Sequence, residues 1–68
     1  MREVSISEDD IRLGQFLKLA DLVDAGSDAK LLLAGGDVLV NDEVEVRRGR
    51  QLTRGDIVTV GDVQLRVG

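Results

Sequence analysis

Four arginines within eight positions, Arg47, Arg48, Arg50 and Arg54, carry the clearest chemical signal in this chain of 68 residues. No acid lies among them, so the stretch holds +4, whereas the rest of the chain, with five bases and thirteen acids, holds −8. Guanidinium forks bind phosphate oxygens bidentately. The local field, not the net charge of −4, decides what such a stretch attracts. Lys18 and Lys30 add single cations on segments of helical periodicity. Ser27, just before the second of these segments, offers a hydroxyl beside the backbone N–H donors of a helix start. The bland alternative is that Arg47, Arg48 and Arg50 pair with Glu43, Glu45 or Asp56, in surface ion pairs worth about 0–1 kcal/mol each. Lys18 and Lys30 read equally well as solvated helix charges.

Catalytic chemistry has little to work with. The chain has no histidine and no cysteine, which removes the usual zinc ligand sets and the common nucleophile–base pairs. The remaining hydroxyls, lysines and carboxylates show no nucleophile–base spacing. Asp9-Asp10 reads as the acidic start of a helix, not as a catalytic pair. These residues argue against an enzyme and call for no cofactor and no metal. The one aromatic, Phe16, falls on an apolar face. Base stacking on aromatics is therefore nearly excluded, so these cations are suited to phosphate groups and not to the reading of splayed bases.

The elements that must position these cations follow from periodicity. Ser27 reads as the N-cap of a short helix with Ala29, Leu32 and Leu33 on one face. Gly35-Gly36 ends that helix. Val38-Leu39-Val40 then forms a strand that stops at the turn signal Asn41-Asp42. Upstream, Glu3-Val4-Ser5-Ile6 alternates as a short edge strand. Leu13, Phe16, Leu17, Ala20 and Val23 keep a 3.6-residue period that predicts a helix from about Arg12 to Val23. Gly14 weakens its first turn by about 1 kcal/mol relative to alanine, so fraying is expected there. Downstream, Val44-Glu45-Val46-Arg47 alternates and closes a hairpin with Val38–Val40. Residues 48–52 read as a basic loop, Thr53–Asp56 as a turn, and Ile57–Val60 as a strand joined through Gly61-Asp62 to Val63–Val67.

The expected fold is α+β, in the order β-α-α-β-β-β: a single domain over residues 1–68, with two early helices on a small, largely antiparallel sheet. Leu13, Phe16, Leu17, Ala20, Leu32, Leu33, Val38, Val40, Ile57 and Val58 are expected to share one core. No apolar run approaches the roughly 18–20 residues of a membrane span, and Met1-Arg2-Glu3-Val4 lacks the apolar start of a signal peptide. A cytoplasmic protein with no membrane contact is the expectation.

Ser-x-Ala-Lys, Leu-Leu, Gly, Val-x-Val-Asn, a basic loop and Gly-Asp-x-Val follow one another from Ser27 to Val58. This series resembles the RNA-binding domain named after the fourth small-subunit ribosomal protein (S-four, or alpha-L motif). The matching positions run from Ala29 and Lys30 through Leu32, Leu33, Gly36, Val38, Val40 and Asn41 to Gly55, Asp56 and Val58. Leu13–Lys18 with Arg47–Arg50 is similar to its small stand-alone bacterial branch, the YaaA/YbcJ-like proteins. The resemblance spans about residues 12–60. It implies an RNA-binding module acting on structured RNA, ribosomal RNA above all, with ribosome assembly as its setting. It also implies contacts from Lys30 and the arginine loop across a groove between the second helix and the sheet. Three positions depart from the wider pattern: Gly26 stands where an arginine is common, Leu31 where a second base is common, and Asp42 where a glycine follows Asn. These changes move positive charge off the helix and onto the loop, so Arg48 and Arg50 are expected to outweigh Lys30. The alternative reading is a protein-interaction domain of β-grasp type, resembling a sulfur carrier. That class usually starts with a hairpin and ends in Gly-Gly, unlike this chain.

Overall fold

Leu13, Phe16 and Leu17 on one short helix, Ala29 and Leu33 on a second, and Val38, Val40, Val58, Leu65 and Val67 on the strands join one buried cluster. A computed structural model describes all 68 residues. The elements are β1 (Arg2–Val4), β2 (Asp10–Arg12), α1 (Leu13–Leu19), α2 (Gly26–Ala34), β3 (Val38–Val40), β4 (Glu43–Val44), β5 (Gln51–Thr53), β6 (Ile57–Val60) and β7 (Val63–Val67). A five-stranded sheet runs in the order β1-β7-β6-β3-β4. Only the β1–β7 pair is parallel; the others are antiparallel. The α+β class and the largely antiparallel sheet are as the sequence predicts. No helix is long and apolar enough to cross a membrane.

A second, two-stranded ribbon is not expected from the sequence. In it β2 pairs antiparallel with β5, placing Ile11 opposite Leu52 and Arg12 opposite Gln51. Leu52, expected in a basic loop, is fully buried, and truncating such a leucine typically costs about 2–5 kcal/mol. Asp9 and Asp10 therefore do not start a helix. Asp10 lies in β2, and Asp9 accepts from Arg54 Nη1 at 3.2 Å.

Both helices differ from expectation at their ends. α1 stops at Leu19, with Ala20 as its C-cap, because Asp21 turns the chain at φ +62°. Leu22 and Val23 then pack on the core from a loop. Arg2 Nη2 caps the shortened helix by donating to Ala20 O at 3.1 Å. α2 starts two residues early. Its N-cap is Ala25, without a side-chain cap, so Ser27 lies inside the first turn instead of capping it. The other end is as expected: Gly35 is the C-cap, and Gly36 adopts the left-handed φ of +77° that stops the helix.

Eight of the ten expected core residues are buried. Leu32 is half-buried against the cluster, whereas Ile57 is half-buried and stands outside it. Val4, Ile6, Ala29, Leu52, Leu65 and Val67 complete the core. The alternation expected over Val44–Arg47 is inverted: Val44 and Val46 are 60% and 58% exposed, and Glu45 between them is only 7% exposed.

Candidate nucleic-acid interface

Glu45 turns inward because donors surround its carboxylate. Oε2 accepts from the backbone N–H of Val46 and Arg47, both at 3.1 Å, and from Arg47 Nε at 3.2 Å. Oε1 accepts from Arg47 Nη2 at 3.1 Å and from Arg50 Nη1 at 2.9 Å. These bonds, those from Arg47 foremost, outweigh burial and hold the carboxyl at about 2, below its usual 4.5. The same pairing raises the Arg47 guanidinium above its ordinary value. The carboxylate thus fixes the course of the chain from Val46 to Arg50 and offsets part of the arginine charge.

The loop so shaped closes onto the start of α1. Leu13 N–H donates to Arg50 O at 2.8 Å and Gly14 N–H to Arg48 O at 3.0 Å, which satisfies two donors that every helix start leaves open. Gly14, where the sequence predicts fraying, lies within α1. Its hydrogen face is covered by the Arg48 stem: a Cβ at Gly14 would collide with Arg48 Cγ and lie 3.1 Å from Cδ. Beyond the stem, Arg48 Nη1 reaches Gly26 O at 3.5 Å. Arg48 therefore bridges the first residues of both helices.

Between these walls lies a notch of about 420 Å³, lined by Arg12, Gln15, Lys18, Arg48 and the glycines Gly14, Gly26 and Gly49. It has three cations in its lining, no acid and no hydrophobic side chain. A second concavity continues from it, lined by Arg12, Arg47, Gly49, Arg50 and Gln51. Arg12 belongs to both. The β2–β5 register brings it there, and its guanidinium passes close to Gly49, where a Cβ would lie 3.4 Å from Nη1.

The seven cationic or polar residues expected at the site divide into two groups. Lys18, Arg47, Arg48 and Arg50 line one continuous basic face. Arg54 lies outside it, donating to Asp9 Oδ1 and to Ile6 O, each at 3.2 Å. Lys30 is exposed on α2 and Ser27 on its first turn, and neither lines the notch. The notch is walled by the starts of α1 and α2 and the 48–49 loop, not by the sheet. Arg12, missed in the sequence, makes no ion pair; nor do Lys18, Lys30 and Arg48. No local sequence signal marks Arg12, because its place in the notch comes from the pairing of β2 with β5.

The comparisons agree with this architecture. The S4 domain family matches residues 4–68. A protein of Bacillus subtilis (strain 168), described as "Probable ribosome maturation protein RlbA", is 53% identical over 57 residues, covering 84% of this chain and 80% of the relative. The β-grasp alternative is thereby set aside. On fold and sequence together, the chain belongs to the S4 domain family.

Proposed function

We propose that the chain is a non-catalytic RNA-binding module of ribosome maturation that grips the phosphate backbone of structured RNA, ribosomal RNA in particular, through the basic notch. The carrying observation is the acid-free lining of that notch, with Arg12, Lys18 and Arg48 unpaired in a chain of net charge −4. Three glycines leave space for a backbone to approach the cations closely. The α2 start lends the partial positive charge of a helix N-terminus. Without aromatic side chains on this face, contacts go to phosphates and sugar edges, which position an RNA by shape. The family, and the description of the B. subtilis relative as a probable ribosome maturation protein, support the ribosomal setting.

The test is binding of the intact chain to a structured ribosomal RNA fragment, beside an unstructured strand of equal length. Preferential binding of the folded fragment, lost in Arg12→Ala with Arg48→Ala while the melting curve is retained, is the expected result. Equal affinity of parent and variant overturns the placement of the site.

A further inference from the structure

A second concavity has the opposite chemistry. The loop after α1 and the outer side of α2 enclose a shallow groove of about 570 Å³. Its floor is aliphatic: Leu22, Val23 and Leu32 are half-buried on the core, and Leu31 stands 73% exposed. Its rim carries Asp21, Asp24 and Asp28, and no basic residue lines it. None of these three carboxylates forms an ion pair in the structure.

We propose that this groove docks a basic segment of a partner protein, one that seats an aliphatic side chain against Leu31 and sets lysines or arginines against the three aspartates. Charge complementarity selects this occupant. A nucleic acid meets only carboxylates and hydrocarbon here, so it is repelled. A second copy in a two-fold contact brings its own three aspartates against the first set, which destabilises the pairing. A cationic segment with an apolar anchor satisfies both the floor and the rim. Leu31 is the most exposed hydrophobic side chain of the lining, so it is the one with the most apolar surface left for an anchor to cover. The chain then presents two faces of opposite sign, one for RNA and one for a basic protein segment. The inference does not depend on the RNA reading, because the two surfaces share no residue.

The experiment is a titration of the isotope-labelled chain with a short alternating Lys/Leu peptide, followed by amide shifts, with a Glu/Leu peptide as control. Saturable 1:1 binding is expected, with shifts confined to residues 21–32, and the acidic control should not bind. Leu31→Ser, at an exposed site that leaves folding intact, is expected to weaken the peptide about tenfold. Asp21→Asn with Asp24→Asn should weaken it and flatten its salt dependence. RNA binding by both variants should equal that of the parent. Shifts spread over the whole surface, binding indifferent to Leu31→Ser, or equal binding of the Glu/Leu peptide overturns the proposal. Sedimentation showing dimers that Leu31→Ser abolishes overturns it too, in favour of self-association.

Discussion

Asn41 Nδ2 donates to Asp56 Oδ1 at 3.1 Å, while Asn41 Oδ1 accepts from Ile57 N–H at 3.0 Å. Asp56 Oδ2 in turn accepts from Thr53 N–H at 2.8 Å. The Val-x-Val-Asn and Gly-Asp-x-Val stretches thus meet side chain to side chain, locking the end of β3 against the turn between β5 and β6. That turn also sets where β5, and so the basic loop before it, leaves the sheet.

Removing this clamp should loosen the fold. Asn41→Ala deletes both side-chain bonds and also leaves an alanine at φ +50°. A loss of about 1–3 kcal/mol is expected in denaturant melts. Asn41→Gly keeps the backbone relaxed and isolates the side-chain share. A double-mutant cycle with Asp56→Ala should give a coupling of about 0.5–1.5 kcal/mol; additive effects would mean that the pair does not act as a unit.

The neighbouring residue is a place where stability can be gained. Asp42 has φ +70° beside Asn41 in the two-residue turn between β3 and β4. Both central residues are left-handed, as a type I′ hairpin requires, and glycine is preferred at the second position. Asp42→Gly should relieve strain, giving a net gain of about 0.5–1 kcal/mol after the added freedom of the unfolded chain. For a domain of this size that raises the melting temperature by about 2–8 °C. A lower melting temperature would show that the aspartate contributes something this geometry does not contain.

Glu45 gives the acid limb of the stability curve a specific component. Its carboxyl sits near 2 in the folded chain and near 4.5 when free. A depressed folded-state value means stability fully present above about 4.5 and lost as pH falls towards 2. Glu45→Gln should therefore cost about 1–2 kcal/mol at neutral pH. The difference from the parent should shrink through that acid window. A difference independent of pH would assign the cost to shape alone.

Much of this architecture is legible in the sequence, and the exceptions share a cause. Gly35-Gly36, Asn41-Asp42 and Gly61-Asp62 mark their turns because the chain there needs conformations that few residues adopt. Phe16 and the β3 and β6 valines are legible from periodicity. The β2–β5 ribbon is not: three residues per strand carry too little pattern, and Leu52 is hidden among arginines. The inversion at Val44–Val46 escapes because a lone inward carboxylate is stable only with its donors in place, and Arg50 comes from five residues away. The early end of α1 escapes because an aspartate, Asp21, and not a glycine takes the left-handed turn. The cation count was readable along the chain, but which cations are free was not. Glu45 and Asp9 engage Arg47, Arg50 and Arg54, and pairing with β5 brings in Arg12.

Gly14 tests whether the stem of Arg48 must lie where it does. By helix propensity alone, Gly14→Ala should stabilise α1 by about 1 kcal/mol. The clash with Arg48 Cγ opposes that gain and displaces a cation from the notch. Expected are a melting temperature no higher than the parent's and weaker RNA binding, although residue 14 has no side chain to contact RNA. A stabilised variant with full RNA affinity would show that the stem moves aside at no cost to the site.

Charge placement makes the last prediction quantitative. If three or four phosphates are neutralised, log K should fall with log salt at a slope of about −3. Each free cation removed from the notch should lower the slope by about 1 and weaken binding uniformly across sequences. Arg12→Ala and Arg48→Ala should each do so, since neither side chain has an acidic partner. Arg47→Ala should do less, because Glu45 already engages that guanidinium through two bonds. Lys30→Ala and Arg54→Ala should change the slope little, as both lie outside the notch lining. Filter binding at stepped salt, with circular dichroism melts as the folding control, measures all five. Should Lys30→Ala and Arg54→Ala prove the damaging pair, the RNA lies across α2 and the β5–β6 turn, and the notch is a solvated gap between helix starts.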